Sequence, residues 1–120
     1  MPTHIKTPSI IKSEGNKPKT IEEFIGHVNS RTKQVSVARM KSSSGWMEPG
    51  QKPEFDEYTL VVQGTLKVEC KEGIVNVQKG ECIIVHRGEW VRYSTPGPTG
   101  AEYISVCIPA FSPETMHRDE

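Results

Sequence analysis

The chain lacks several features that mark particular classes of protein. No run of apolar residues approaches the roughly 20 that a membrane-spanning helix needs, and residues 1–17 are too polar for a secretory leader. Fifteen basic and 15 acidic side chains balance to a formal net charge of zero, which leaves no excess positive charge for a polyanion. We therefore expect a cytoplasmic protein that binds neither nucleic acid nor membrane.

Cysteine is scarce and is not arranged for a disulfide framework. The three cysteines, Cys70, Cys82 and Cys107, are odd in number, and none belongs to a CxxC pair. Each lies in an apolar or alternating segment, which predicts reduced, buried thiols. The sequence also contains no nucleophile elbow, P-loop or dinucleotide fingerprint. Hydrolase, kinase and oxidoreductase activities therefore have no motif to support them.

The patterning predicts one all-β domain. A chain of 120 residues suits a single core. Short apolar or alternating segments, separated by turn-forming residues such as Gln63-Gly64, predict strands at 35–40, 58–62, 65–70, 74–77, 82–85, 90–94 and 102–108. Residues 20–28 are interpreted as a further strand, although 20–23 also has the form of a helical capping box. Short strands at even spacing are typical of a sandwich or barrel.

The two ends are expected to differ from the domain between them. Residues 1–19 are mostly polar and predict an extended arm, parts of which could pair with a sheet edge. Residues 20–111 form the single domain. Residues 112–120 are polar and are expected to lie on the surface or to cross to a partner subunit.

Two groups of residues have the order and spacing of the cupin motifs. In the first motif, a glycine precedes two histidines, a glutamate and a second glycine. Gly45, Glu57 and Gly64 occupy the fixed positions here, while Gln51 and Pro53 stand where the histidines would be. The sequence thus resembles the cupin family, with two of the metal ligands replaced.

The second motif shows the same combination of a retained framework and altered ligands. Gly80 and Gly88 match its glycines, while His86, Val91 and Thr95 stand where proline, histidine and asparagine would be. The resemblance implies an all-β double-stranded β-helix, a jelly-roll barrel, and a homodimer. Residues 56–58 and 101–113 also resemble the cupin associated with ethanolamine utilisation, a subgroup that lacks the usual histidines.

The missing ligands bear on the cofactor. Cupin centres bind a divalent metal with three imidazoles and one carboxylate, and of that set only Glu57 remains. We therefore expect no cofactor. The alternative is a rearranged site for a divalent metal, built from Glu48, Gln51 and Glu57.

A barrel without metal can still bind a small molecule at its mouth. If Glu57 points inwards, strand parity places Thr59 and Val61 on its face and Tyr58 and Leu60 on the other. The residues predicted to bind a polar or anionic ligand are Arg39, Trp46, Gln51, Trp90, Arg92 and Tyr93. Arg39 shares a face with Val37, and we expect its charge to pair with Glu57.

Three functions remain open at this point. The first is binding of a small ligand in the barrel. The second is an isomerase or lyase in which Glu57 acts as general acid or base and Arg39 or Arg92 holds a carboxylate. The third is an accessory protein that acts through oligomerisation, because residues 104–111 form an apolar run. Purely structural alternatives are a Glu57–arginine pair and tryptophans that plug the barrel end.

Overall fold

The structure is a computed structural model and describes residues 1–119. It is built from strands, and its one helical turn within those residues is a 3-10 turn, η1 (Pro113–Thr115). The strands are β1 (Ser9–Ile11), β2 (Lys19–Ile25), β3 (Ser36–Ser42), β4 (Trp46–Met47), β5 (Asp56–Cys70), β6 (Gly73–Gln78), β7 (Cys82–Val85), β8 (Val91–Thr95) and β9 (Ala101–Ile108). The all-β prediction is confirmed. No helix within residues 1–119 is long and apolar enough to cross a membrane.

The strands form one strongly curved antiparallel sheet that closes around its own inner face. The hydrogen-bonded order is β1-β2-β3-β9-β5-β8-β4, and β6 and β7 also pair with β5. The first half of β5 pairs with β7 and β9, while its second half pairs with β6 and β8. Strand β5 therefore belongs to both walls of the barrel and joins them.

The prediction of a turn at Gln63-Gly64 was wrong, because β5 runs through both residues. The pairing with β9 shifts register between Val61 and Gln63, which lets the strand bend without ending. Gly64 has a φ of +73°, and a Cβ there would lie 2.1 Å from the carbonyl oxygen of Gly100. Only glycine fits this close backbone approach.

The core fills the barrel end near the bend of β5. Its buried residues are Trp46, Val61, Leu66, Val68, Val77, Val85, Val91, Tyr93, Ala101 and Tyr103. A second cluster of Phe55, Cys107 and Met116 lies at the other end. Of the three cysteines, Cys107 is buried as predicted, whereas Cys82 is exposed because it lies on the outer face of β7, and Cys70 is half-buried.

Both ends of the chain pack against the barrel. Strand β1 pairs with β2 at the edge of the sheet, so part of the N-terminal arm extends it. In the C-terminal segment, Met116 is buried and Arg118 forms an isolated antiparallel bridge with Gln51. The last residue of the predicted tail, Glu120, lies outside the described residues. The C-terminal segment thereby covers one end of the barrel.

Candidate functional site

A cavity lies inside the barrel between the two core clusters. Its volume is about 50 Å³. One water needs roughly 10–15 Å³, so the cavity has room for several waters or for a small organic molecule. The polar and charged side chains that line it are Lys19, Glu23, Ser36, Glu48, Gln51, Glu57, Thr59, Tyr93, Tyr103, Ser105 and Arg118.

Glu57 lies on the inner face of β5, at the cavity wall. Its neighbours on that face, Thr59 and Val61, are 2% and 0% exposed, whereas Tyr58 and Leu60 are each 39% exposed. The alternation follows the predicted parity. It arises because successive side chains of a strand point to opposite faces, and the inner face of β5 meets the barrel interior.

Two hydroxyl groups hold the Glu57 carboxylate. Tyr93 donates to Oε1 over 2.9 Å and Ser105 donates to Oε2 over 2.5 Å. Thr59 and Ser105 share a further hydrogen bond of 3.2 Å. Because Tyr93 comes from β8 and Ser105 from β9, the carboxylate links strands of both walls. Such hydrogen bonds compensate for the burial of its charge.

The two groups next to Glu57 keep their protons at neutral pH. Burial raises the pKa of the Tyr93 hydroxyl well above its usual value, and the Glu57 carboxyl raises it further. Burial, and then repulsion by Glu57, also raises the pKa of the Cys107 thiol. Tyr93 is therefore a hydrogen-bond donor, and Cys107 lacks the thiolate character of a nucleophile.

Lys19 carries a positive charge at the cavity wall. Its Nζ lies 4.0 Å from the centroid of the Trp46 ring and 5.4 Å from that of Tyr103. Burial works against this charge, but attraction to Tyr103 and to the Glu48 and Glu57 carboxyl groups outweighs it, so the pKa of Lys19 is raised. The ammonium group is thus stabilised by aromatic faces and by nearby acids.

A second carboxyl group, that of Glu48, shares the cavity with Glu57. Glu48 is 6% exposed. Burial raises its pKa; attraction to Lys19 acts in the opposite direction, and Glu57 adds to the increase. The cavity wall therefore carries one carboxylate held by two donors and one carboxyl group whose charged form is disfavoured.

Gln51 and Arg118 each present an unpaired polar atom. Gln51 is 1% exposed, and its backbone pairs with Val91 through two hydrogen bonds of 2.9 Å. Within residues 1–119, its side-chain Oε1 has no donor and the Nε of Arg118 has no acceptor, although both atoms are buried. A buried polar atom without a partner costs about 1–3 kcal/mol, so these two atoms mark a place where a bound molecule would be stabilised.

The structure brings only part of the predicted set together. Gln51, Tyr93, Glu57 and the alternative residue Glu48 line the cavity. Trp46 is fully buried in the core beside it, and its Nε1 donates to the Glu14 carbonyl over 2.9 Å. Trp46 is therefore part of the core cluster and not of the cavity wall.

The remaining predicted residues lie outside the cavity. Arg39 does share a face with Val37, but that face is the outer one, and its Nε bonds Glu22 over 2.8 Å. The prediction of an Arg39–Glu57 pair was wrong because the inner face of β3 consists of Ser36, Ala38, Met40 and Ser42, which are small or flexible residues around a cavity. Val37 and Arg39 therefore lie together on the outer face of β3.

Arg92 and Trp90 also lie on the outside. Arg92 forms two bonds to Glu69, of 2.8 and 3.0 Å, across the outer face of β8 and β5. The Nε1 of Trp90 donates to Asp119 over 2.9 Å. Arg92 is on the opposite face of β8 from the inward-pointing Tyr93, so the parity rule already separates these two neighbours.

Sequence reasoning missed several residues of the wall. Lys19 begins β2 and shares its inner face with Ile21 and Glu23. The predicted strand began at residue 20, and a start one residue earlier would have placed Lys19 on that face. Tyr103 and Ser105 alternate on β9 and could have been found in the same way. Nothing in the sequence indicates that Arg118 reaches the cavity.

The donor set does not fit the metal centre that the cupin motifs imply. Pro53 and Val91 have no donor atom, and both carboxylate oxygens of Glu57 already accept hydrogen bonds. Within residues 1–119, no three His, Cys, Asp or Glu side chains are grouped so that they could hold an ion. The three-imidazole, one-carboxylate arrangement therefore has no counterpart in these residues.

Comparison with curated proteins finds similarity to part of a longer chain. No protein-family model matches the sequence. The chain is 43% identical over 101 residues to a protein named endoribonuclease YbeY from Myxococcus xanthus. That match includes 84% of this chain but only 34% of the relative, so the chain spans about a third of the relative's length.

Comparison with solved structures finds similar barrels. The polyketide cyclase RemF from Streptomyces resistomycificus has a TM-score of 0.77 at 16% identity, with 100% of this chain and 85% of that one covered. A predicted oxalate decarboxylase from Thermotoga maritima has 0.72 at 21% identity, with 86% and 92% covered. The Clostridium difficile EutQ protein has 0.65 at 21% identity, with 78% of this chain and 64% of that one covered. Together with the barrel topology, these likenesses establish that the chain has the cupin fold.

Proposed function

We propose that this chain binds a small polar molecule inside its barrel, without the metal centre usual for the fold. The observation that carries the proposal is the buried Oε1 of Gln51, which lines the cavity and has no donor within residues 1–119. A molecule that donates a hydrogen bond there would remove a penalty of about 1–3 kcal/mol. Binding would therefore stabilise the folded chain by mass action.

The rest of the wall supports binding by a preformed site. Glu57, Tyr93 and Ser105 hold one another through hydrogen bonds between different strands, so their positions do not depend on a ligand. Preorganised polar groups lose little conformational entropy when a ligand arrives. The structurally similar proteins have different names and functions, so the fold alone does not indicate a ligand. The residues of this cavity support the proposal.

A ligand screen combined with a filled cavity tests the proposal. Thermal unfolding is measured with a panel of organic acids, sugars and amino acids, and isothermal titration gives the affinity of any compound that stabilises the chain. Ala38→Leu adds volume at the cavity wall, while Val37→Leu adds one carbon on the outer face of the same strand. We expect Ala38→Leu to abolish binding and Val37→Leu to preserve it.

Two results would count against ligand binding in the barrel. One is a complete absence of stabilising compounds in the panel. The other is a compound that still binds Ala38→Leu with unchanged affinity, because that compound must then occupy another place. The melting temperature of each variant without ligand shows that it remains folded.

The outer face of the barrel supports a second candidate function, as an accessory domain that associates with a second copy of itself. Four apolar residues on this face are 39–51% exposed: Tyr58, Leu60, Ile84 and Ile108. Tyr58 pairs directly with Ile84 across β5 and β7, so the residues form a continuous patch. Contiguous exposed apolar surface commonly marks an interface.

Light scattering after gel filtration tests this second candidate. We expect a dimer for the unmodified chain and a monomer for Leu60→Glu, because the added charge would be buried in the contact. Val75→Glu is the matched control, since Val75 is 44% exposed but lies on β6, away from the patch. A monomeric unmodified chain would exclude homodimer formation through this face.

The similarity to the Myxococcus xanthus protein fits an accessory role. Two thirds of that protein have no counterpart in this chain, so the activity in its name need not belong to the shared part. We infer that this chain does not itself cleave RNA. An assay with labelled RNA should show no cleavage above a buffer control, and cleavage that follows the purified chain through gel filtration would overturn the inference.

A further inference from the structure

Two cations of the cavity wall form no close ion pair within residues 1–119. Lys19 is the first residue of β2, and Arg118 belongs to the C-terminal segment. In the part of the chain that the structure describes, the ion pairs within 4.0 Å involve other residues. The Nε of Arg118 is buried and has no acceptor there. Charges that are removed from water need a partner, so the cavity is suited to an anionic group.

The three carboxyl groups of the wall do not complete the arrangement. Glu57 is engaged by Tyr93 and Ser105. Glu23 accepts from the backbone amides of residues 28 and 29, over 3.0 and 2.9 Å. Glu48 is the remaining group, and its burial disfavours the charged form. An anion from outside the chain would therefore meet two cations that form no ion pair within 4.0 Å in residues 1–119.

A hydrogen-bond acceptor lies beside these donors. Gln51 and Arg118 face each other in an antiparallel bridge, so their side chains leave neighbouring points of the wall. The acceptor Oε1 of Gln51 and the donor Nε of Arg118 are both buried and unpaired within residues 1–119. A molecule with an acceptor and a donor close together would satisfy both atoms.

We propose that the cavity binds a small monocarboxylate that also carries a hydrogen-bond donor, with the carboxylate held by Lys19 and Arg118 and the donor directed to Gln51. This inference rests on the proposed binding function and names its ligand class. The cavity of about 50 Å³ restricts the ligand to a few heavy atoms. A dianion such as phosphate would bring a second negative charge towards the Glu57 carboxylate, which favours a single carboxylate.

Isothermal titration with matched compounds tests the ligand class. The probes are glycolate and lactate, their neutral amides, acetate and propionate without the hydroxyl group, inorganic phosphate, and methylamine. We expect the hydroxy acids to bind best. The amides should bind at least about tenfold more weakly, because they lose the charge-assisted hydrogen bonds, and the acids without a hydroxyl group should be weaker than the hydroxy acids.

Variants connect the affinity to the two cations. Lys19→Met and Arg118→Met should each weaken hydroxy acid binding by about tenfold or more. Arg92→Met and Lys41→Met remove cations from the outer face and should leave the affinity unchanged. Lys19→Arg should bind the hydroxy acids more tightly than Lys19→Met does, because arginine keeps the positive charge. A purely structural role for Lys19 would not require this recovery. Circular dichroism verifies that each variant is folded.

The outcomes separate this inference from the proposed function. Equal affinity for acids and amides, preference for phosphate or methylamine, or full affinity in Lys19→Met and Arg118→Met would each overturn the ligand class. A neutral compound that binds the unmodified chain but not Ala38→Leu would leave the proposed function standing without this inference. Absence of binding by every compound, in the broad panel as well, would remove both.

Discussion

Replacement of Tyr93 by phenylalanine tests the network that holds Glu57. The Tyr93 hydroxyl is buried and donates to Glu57 over 2.9 Å, and Ser105 is the other donor to this carboxylate. The variant keeps the ring and removes one hydrogen bond to a charged group, which costs about 1.5–3 kcal/mol. In a domain of 120 residues, one kcal/mol corresponds to roughly 4 °C in melting temperature. We expect the melting temperature to fall by roughly 6–12 °C.

Thermal unfolding followed by circular dichroism measures the change in melting temperature, and urea unfolding measures the loss of free energy. Tyr58→Phe is the control. Tyr58 is 39% exposed on the outer face, so its variant should change stability by less than about 0.5 kcal/mol. A double-mutant cycle with Glu57→Gln should give a coupling energy of about 0.5–3 kcal/mol, because the two side chains are in contact. Equal stabilities of Tyr93→Phe and Tyr58→Phe would refute the reasoning.

Three further outcomes are expected. Leu66→Ala, at a core side chain with 0% exposure, should lower the free energy of unfolding by about 2–5 kcal/mol; a loss below 1 kcal/mol in urea unfolding would contradict the assigned core. Gly64→Ala should cost more than about 1–3 kcal/mol, since its Cβ would meet a backbone oxygen; Gly97→Ala, with open space, is the control. Burial raises the pKa of Glu48 above 4.5, so the folded chain keeps this proton at pH values where the unfolded chain has lost it. The free energy of unfolding therefore falls as the pH rises above 4.5. Glu48→Gln should therefore gain stability over the unmodified chain at pH 7 but not at pH 4, and an equal difference at both pH values would contradict this.

Much of the fold could be predicted from local pattern. The strands at 82–85 and 102–108 were predicted within one residue of their observed bounds, because turn residues and alternating apolar residues delimit them. The long β5 was divided in two, since Gln63-Gly64 is a turn-forming pair in isolation. The chain continues through it as a strand because Gly64 lies against the backbone of Gly100, a contact between distant segments.

The site was predictable only near the two cupin motifs. Glu57 was identified from its place in the first motif and Tyr93 from its place around the second, and both line the cavity. Arg39 was misplaced because an apolar face was assumed to point inwards. The inner face of β3 consists of Ser36, Ala38, Met40 and Ser42, while the outer face carries Arg39 and Lys41 beside Val37. One apolar neighbour therefore did not identify the inner face.

The sequence by itself determined the all-β class, the glycine framework and the loss of the imidazole ligands, because each of these depends on residue type and spacing along the chain. Only the tertiary structure decided that Lys19 and Arg118, from opposite ends of the chain, line one cavity with Glu57. It also decided that hydroxyl groups from different strands hold that carboxylate. Such contacts follow from closure of the barrel, in which the curvature of the sheet and the packing of the C-terminal segment bring together residues that no local pattern relates.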